Sequence, residues 1–291
     1  MARAMTGRRA AAGAVTVLVV GGGMLLGVAA AAQQHARMPG ARQAGSSRPA
    51  ATAPARSPSA NIPAGSRERG QGGKGAHDPV KPAGVPASAV GKLLVNDTGN
   101  DLASWPRQAR GGESGSISHS HGVLYLSTTG ANGNGYSIIS PHTYTSGIFE
   151  ARIYFPGARD GKVADWPAFW LSSAWSGAVG WPDGGEMDLA EGLSGVLYDS
   201  YHYGVQGSER SITKTFATSA PGWHTITGVW KADEWEVYYD GKLVKWIFGP
   251  YVANHPMNVI LSQYQGNLGN QPGVAATLRI SYLRIWSVAS S

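Results

Sequence analysis

The amino-acid sequence predicts an all-β domain, either a sandwich or a barrel, in the C-terminal part of the chain. Apolar residues recur at every second position of Ile148–Phe155, which is the period of a strand buried on one side. Asp240-Gly241 separates two strand-like segments, as in a two-residue hairpin. No long stretch after residue 90 has the 3.6-residue period of an amphipathic helix.

The same alternation predicts further strands, each bounded by turn-forming residues. Many short strands joined by Gly, Asn and Pro turns are typical of sandwiches and barrels. The predicted strands are Val123–Ser127, Thr225–Trp230, Trp235–Tyr239, Lys242–Ile247, Met257–Ser262 and Leu278–Trp286.

Charge and composition divide the chain into three parts. Residues 1–90 carry 11 Lys and Arg but two acids, a net charge of +9, whereas residues 91–291 carry 13 basic and 16 acidic residues, a net charge of −3. Residues 33–90 are rich in Ala, Pro, Gly, Ser and Arg and are predicted to be a disordered linker, because they cannot bury enough apolar surface to fold. The folded domain is predicted at residues 91–291.

Residues 1–32 resemble an export signal. Arg3, Arg8 and Arg9 precede an uncharged run from residue 10 to residue 32 that ends in three alanines. The run is long enough either to be cleaved as a signal peptide or to stay as a membrane anchor. Both outcomes place the domain outside the cytoplasm, as a secreted or membrane-anchored protein.

Several function classes are excluded or disfavoured by composition. The chain has no Cys, so it has no disulfide, thiolate metal site or Cys nucleophile. The positive charge belongs to the linker, which argues against a nucleic-acid-binding domain. We expect a monomer, with membrane contact only through residues 10–32 if the signal is retained.

The clearest chemical feature is a cluster of three acids between Gly185 and Gly192. Glu186 and Asp188 are two residues apart and share one face of a strand. Glu191 is five residues from Glu186, so a regular strand would turn it to the opposite face. One extra residue near Leu189-Ala190, a β-bulge, would return it to the acidic face.

Paired carboxyl groups suit glycoside hydrolysis, which needs one carboxylate nucleophile and one protonated carboxyl as general acid. Close carboxylates cannot all ionise easily, so one keeps its proton. The acids do not fit the spacing of a calcium-binding EF-hand loop, and no catalytic metal or other cofactor is expected. An exposed, charged strand face without chemistry explains the same spacing.

Trp residues surround the acids in sequence. Trp166 and Trp170 would share one strand face, with Phe169 turned into the core, and Trp181 precedes the acidic strand. Flat aromatic faces bind sugars, so Trp166, Trp170 and Trp181 are candidate substrate-binding residues. Core packing is the alternative role for several of them.

The acidic segment resembles the bulged Glu-x-Asp-x-x-Glu signature of glycoside hydrolase family 16. The resemblance implies a β-jelly-roll sandwich with a concave substrate cleft, and retaining endo-hydrolysis of β-linked glycans. It implies that Glu186 is the nucleophile, Asp188 its helper and Glu191 the acid/base, with carboxyl groups about 5–5.5 Å apart. The segments that carry it are Glu186–Glu191, Ser146–Arg152, Trp166–Leu171, Trp181–Glu186, Trp223–Thr225, Tyr238–Lys242, Pro256–Asn258 and Leu283–Trp286.

Other positions refine what the resemblance implies. His202 follows the acidic strand where the family can place a substrate-contacting His, although a hydrogen-bonded surface His fits equally well. Ser281 stands where family members that hold a structural calcium carry Asp, which argues against calcium here. The bulged motif favours β-1,3- or mixed β-1,3/1,4-glucan as substrate.

Three alternatives to the hydrolase remain open. A transglycosylase would use the same residues with a sugar acceptor in place of water. A noncatalytic carbohydrate-binding module would keep the Trp residues but would not need three acids. A wall-associated structural protein would explain the linker but not the acidic strand.

Overall fold

The computed structural model describes residues 80–110, 115–129, 135–175, 177, 179–216, 221–266 and 274–290. The predicted signal and residues 33–79 of the predicted linker lie outside the described residues. Among the described residues, no helix is long and apolar enough to cross a membrane.

The described chain forms fifteen β-strands and two helical turns, a 3-10 turn at Ala87–Ala89 and helix α1 at Gly99–Leu102. The strands are β1 (Val90–Thr98), β2 (Arg107–Arg110), β3 (Gly115–Ser120), β4 (Val123–Thr128), β5 (Gly135–Tyr144), β6 (Gly147–Phe155), β7 (Trp166–Ser172), β8 (Glu186–Leu193), β9 (Val196–Val205), β10 (Ser208–Thr215), β11 (Gly222–Lys231), β12 (Glu234–Tyr239), β13 (Lys242–Phe248), β14 (Met257–Tyr264) and β15 (Thr277–Val288).

Two antiparallel sheets build a sandwich, which confirms the predicted fold class. The eight-stranded sheet has the order β13-β12-β11-β6-β15-β4-β3, with β1 paired to β15. The seven-stranded sheet has the order β10-β9-β8-β7-β14-β5-β2. The acidic strand β8 therefore lies inside the second sheet, between β9 and β7.

The core lies between the two sheets and follows the predicted alternation. Phe149, Ala151, Ile153 and Phe155 of β6 all enter it. All seven strands predicted from the sequence are present, with ends that differ by up to three residues. Asp240 and Gly241 both have positive φ, at 48° and 75°, as the predicted two-residue turn requires.

Two lysines join the edge strands of the two sheets. Lys214 of β10 donates to the carbonyl of Val244 in β13, and Lys245 of β13 donates to the carbonyl of Ile212 in β10 at 2.5 Å. Lys245 also forms a buried ion pair with Asp199 of β9. Burial raises the pKa of Asp199 to about 6 and lowers that of Lys245, so the pair carries a desolvation cost.

Residues 80–89, which composition assigned to the end of the linker, lie against the outer face of the eight-stranded sheet. The indole of Trp286 donates to the carbonyl of Val80, and the amide of Ala83 donates to the carboxylate of Glu150. Gly84 has φ of 81°, and a Cβ atom there would lie 2.3 Å from the Gly241 carbonyl oxygen. The segment is therefore fitted to this face.

We predict that a chain starting at residue 80 is more stable than one starting at residue 91. Loss of Ala83 leaves the buried Glu150 carboxylate without one of its donors, and hydrogen bonds to charged groups contribute about 1.5–3 kcal/mol. Urea denaturation of both chains measures the difference, with the full-length protein as control. Equal free energies of unfolding would contradict this account of the segment.

Candidate active site

A β-bulge lies in β8 where the residue spacing predicted it. Asp188 pairs with Ser200 of β9 and Glu191 pairs with Tyr198, so two residues, Leu189 and Ala190, stand opposite one. The pairing of β8 with β7 shifts register at the same place. The extra residue reverses the alternation after Asp188.

The bulge puts the three acids on one side of the sheet. Met187, Leu189 and Ala190 all belong to the core between the sheets, and Leu189 lies against Gly228 of the opposite sheet. Glu186, Asp188 and Glu191 therefore point to the outer face of the seven-stranded sheet, which we call the acid face. This agrees with the electrostatic coupling of Glu186 to both other carboxyl groups.

Each acid has a different set of partners, although all three are at most 2% exposed. Glu191 accepts a hydrogen bond of 2.7 Å from the indole of Trp166. Asp188 Oδ2 lies 3.3 Å from Nε2 of His202, which stands opposite Glu186 on β9. Oε1 of Glu186 is buried and accepts no hydrogen bond from the described residues.

The electrostatics of the acid face set the protonation of Glu186. Burial raises the pKa of Glu186 well above its ordinary range, and the charges of Asp188 and Glu191 raise it further. When Glu191 carries a proton, one of these two charges is absent and ionisation of Glu186 becomes easier. The ionisation of Glu186 therefore depends on the charges that its two neighbours carry.

The structure brings the predicted Trp residues to the acid face, but two of them are buried. Trp166 packs edge-on against Tyr264, with ring centroids 5.8 Å apart, and Trp170 packs against Trp175 at 6.5 Å. Trp166 and Trp170 are each 1% exposed, so their ring faces already contact protein. Trp181 is half-buried, and its ring lies 6.4 Å from that of His202.

Sequence reasoning did not identify Ser262, or the contact of Tyr264 with Trp166, as part of the acid face. Ser262 accepts a hydrogen bond of 3.2 Å from the indole of Trp170, and Tyr264 supports Trp166. Both come from β14 and lie more than 90 residues along the chain from the Trp residues that they contact. The alternation of apolar residues in β14 indicates which of its side chains share a face. The sequence does not indicate that β14 lies beside β7, because that depends on the order of strands in the sheet.

Three side chains of the acid face have the donor atoms of a cation site. Glu186, Asp188 and His202 each offer one ligand atom within 4.8 Å of the others. Two of these groups are the buried carboxyls that the predicted chemistry needs, and Asp188 already faces the His202 ring. The contact between Asp188 and His202 therefore accounts for the position of both groups.

Known proteins resemble the chain in sequence and in fold. The curated relatives include endo-1,3-1,4-beta-glycanase ExsH of Rhizobium meliloti (strain 1021), 27% identical over 72% of this chain and 42% of its own length. A probable endo-1,3(4)-beta-glucanase of Aspergillus fumigatus is 35% identical over 35% of this chain and 16% of its own length. The chain thus spans less than half the length of the curated relatives it matches.

Solved structures show the same fold. The catalytic domain of an endo-1,3-beta-glucanase (laminarinase) from Thermotoga petrophila RKU-1 matches 69% of this chain and all of its own, with a TM-score of 0.56 and 20% identity. LamAcat from Zobellia galactanivorans matches 67% of this chain and 97% of its own, with a TM-score of 0.54 and 20% identity. The family model of glycosyl hydrolases family 16 matches residues 109–283, more than half of the sequence. The chain therefore belongs to glycosyl hydrolases family 16.

Proposed function

We propose that this domain is a retaining endo-hydrolase of β-linked glycans that acts outside the cytoplasm. The observation that carries the proposal is the bulge in β8, which places Glu186, Asp188 and Glu191 together on the acid face. The same bulge accounts for the odd spacing of the two Glu residues. A noncatalytic sugar-binding module would gain nothing from three buried acids, because buried carboxyl groups lower stability.

The roles of the two Glu residues follow from the order of the acids in the family signature. Glu186, whose Oε1 has no donor among the described residues, is the nucleophile and attacks the anomeric carbon. Glu191 donates its proton to the departing glycosidic oxygen as that bond breaks, which leaves a covalent glycosyl-enzyme. Glu191 then takes a proton from water, the water oxygen bonds to the anomeric carbon, and Glu186 leaves as carboxylate.

Asp188 and His202 position the nucleophile rather than forming bonds to the sugar. The Asp188 carboxylate lies within 4.8 Å of both Glu186 and the His202 ring nitrogen, and its charge raises the pKa of Glu186. His202 Nε2 lies 3.3 Å from the Asp188 carboxylate, so it can hold that group in place. Trp181 is half-buried and lies beside His202, so part of its ring is open to a sugar on the acid face.

The similar endo-1,3-1,4-beta-glycanase and endo-1,3(4)-beta-glucanase favour a β-1,3- or mixed β-1,3/1,4-glucan as substrate. Export is proposed from the basic start and the uncharged run at residues 10–32, which lie outside the described residues. Hydrolysis of a panel of soluble β-glycans, with reducing ends counted, tests the activity directly. Release of no oligosaccharide from any β-glucan in the panel would contradict the proposal.

Nucleophile and acid/base variants should differ in the products that azide gives. Glu186→Ala should lower kcat by at least about 10⁴, and azide should restore turnover from the vacated side and give an α-glycosyl azide. Glu191→Ala should retain activity on aryl glycosides, whose leaving group needs little protonation, and azide should give a β-glycosyl azide. NMR coupling of the anomeric proton identifies each product.

Asp188→Asn is the companion variant and should fold and keep slight activity. If the two Glu variants gave azides of the reverse anomeric form, the two roles would have to be exchanged. If none of the three substitutions reduced hydrolysis, the acid face would not be the active site.

Glu186→Gln should stabilise the protein at pH 8 and have little effect at pH 4. Folding raises the pKa of Glu186, so protonated Glu186 stabilises the native state. This stabilisation is complete below the pKa that Glu186 has in the unfolded chain. It is lost as the pH rises through the pKa that Glu186 has in the folded protein. The amide resembles the protonated carboxyl and avoids that loss. Thermal unfolding should show a midpoint higher by a few degrees at pH 8, since about 1 kcal/mol shifts it by roughly 2–4 °C.

Glu150→Gln provides a matched control for this stability test. Glu150 is equally buried, at 1% exposure, but its carboxylate accepts hydrogen bonds from Ala83, Thr227 and Tyr282. An amide there turns one acceptor into a donor that faces other donors, so Glu150→Gln should destabilise the protein at pH 8. Destabilisation by both substitutions would show that Glu186 is held favourably in its charged form.

Trp166→Phe should change the pH dependence of hydrolysis, because Trp166 positions Glu191. Its indole donates to the Glu191 carboxylate, which favours the charged form, so loss of the donor should raise the pKa of Glu191. We expect kcat to fall about tenfold, consistent with a lost hydrogen bond to a charged group, and the alkaline limb of kcat/KM to move to higher pH.

Trp170→Phe is the control for Trp166→Phe, since both rings lie on β7, face the same side and are 1% exposed. The Trp170 indole donates to Ser262, so the alkaline limb should stay in place. Equal shifts of the limb in both variants would mean that Trp166 acts through general packing alone.

A further inference from the structure

A pocket lies behind the acid face, at one end of the sandwich. It is a pocket of about 320 Å³ between the loop that joins β13 to β14 and the ends of β8 and β9. Tyr201 and Tyr203 of β9 line it, whereas His202 between them belongs to the acid face. The pocket and the acids therefore lie on opposite sides of β9. We call it the rim pocket; its lining also includes Asp183, Val205, Asp233, Tyr251, Asn254 and His255.

Hydrogen bonds hold the walls of the rim pocket in place. The Tyr201 hydroxyl donates to the carbonyl of Tyr251 at 2.6 Å and accepts from the amide of Ala253 at 2.7 Å. The indole of Trp230 donates to the carbonyl of Ala253 at 2.8 Å. The loop is thus fixed to buried side chains of both sheets, so a ligand would find the pocket already formed.

Aromatic and apolar groups form the exposed wall. The rings of Tyr201 and Tyr203 stack at 5.4 Å, and those of Tyr203 and Tyr251 stack at 5.1 Å. Tyr251 is 39% exposed and Val205 is 59% exposed, so apolar surface remains open to solvent beside the stack. Tyr251 ends this stack, and its exposed part can contact the C–H face of a sugar ring.

The polar groups of the rim pocket indicate a neutral ligand. Asp183, Asp233, Asn254 and His255 supply hydrogen-bond acceptors and donors around the aromatic wall. No Lys or Arg is among the described residues that line the pocket, so a phosphate, sulfate or uronate would meet carboxylates without a compensating cation. Hydroxyl groups of a neutral sugar, in contrast, can pair with both kinds of polar group.

We propose that the rim pocket binds a neutral pyranose unit of a β-glucan, separately from the acid face. The choice of β-glucan rests on the proposed function, whereas the sugar chemistry rests on the pocket itself. Its volume is at the low end of the range of ligand sites, about 300–1,000 Å³, which suits one sugar unit or two. A second attachment point on the same polymer would raise the local concentration of glucan at the acids.

Binding can be measured on the full-length chain carrying Glu186→Gln, titrated with laminaribiose and followed by amide chemical shifts. Gly204 and Asn254 report the rim pocket and Gly192 reports the acid face. We expect the amide signals of Gly204 and Asn254, called the rim amides, to shift as laminaribiose is added, with a saturation curve different from that of Gly192. Tyr251→Ala and, separately, Asn254→Ala should weaken this curve about tenfold and leave that of Gly192 unchanged.

Trp246→Ala is the control, because Trp246 is 61% exposed and does not line the rim pocket. On active protein, Tyr251→Ala should raise KM for long β-glucan about three- to tenfold without changing kcat, and leave a short aryl glycoside unaffected. Rim amides that do not move with laminaribiose, or that move with gluconate instead, would overturn the proposal. So would equal weakening by Trp246→Ala.

The two proposals can fail independently. If the active protein cleaves β-glucan but the rim amides stay still, the rim pocket is refuted and the proposed function stands. If no β-glucan is cleaved but neutral sugars shift the rim amides, the proposed function fails and the sugar pocket stands.

Discussion

One extra residue in β8 determines what the acid face can do. Leu189 and Ala190 stand opposite the single Asp199, and both enter the core instead of alternating. In a regular strand, Glu191 would point between the sheets, where an unpaired carboxylate would be strongly destabilising. The bulge removes that conflict and gathers three carboxyl groups on the outer face. The hydrophobic core and the chemistry of the site therefore depend on the same local irregularity.

The structure supports this bulge from behind. Asp199, the residue opposite the bulge, points into the core and forms its ion pair with Lys245 of the other sheet. Lys245 also binds the carbonyls of Asp199 and Ile212, which fixes β9 and β10 beside the bulge. If the two sheets moved apart, each buried charge would lose its partner, which would destabilise the protein. The ion pair therefore holds the two sheets together at the place where β8 departs from regular geometry. Residues 80–89 lie along the outer face of the eight-stranded sheet, on the opposite side of the sandwich from the acids. They therefore do not cover the acid face.

Strands with strong local alternation could be predicted from the sequence, and so could the bulge, because an odd spacing between two acids breaks the parity of a strand. The segment Ser208–Thr215 shows why other strands could not be predicted from the sequence. It is largely exposed and polar, and only its pairing with β9 makes it a strand. Residues 80–89 lack aromatic side chains and resemble linker, yet their backbone amide and carbonyl groups find partners on Glu150 and Trp286. Such contacts depend on surfaces that exist only after the sheets have formed.

The partners of the two Glu residues depend on long-range register in the same way, and they make the two groups unequal. Trp166 reaches Glu191 because Ala168 of β7 pairs with Glu191, which brings the neighbouring indole to its carboxylate. Glu186 lies at the other end of the bulge and receives no such donor on Oε1 among the described residues. An oxygen without a donor keeps its lone pairs for an electrophile, whereas a carboxyl held by an indole keeps a fixed direction for proton transfer. The sequence motif identifies which residues are the acids. The register of the sheet gives each of the two Glu carboxyl groups different hydrogen-bond partners and so makes them chemically different.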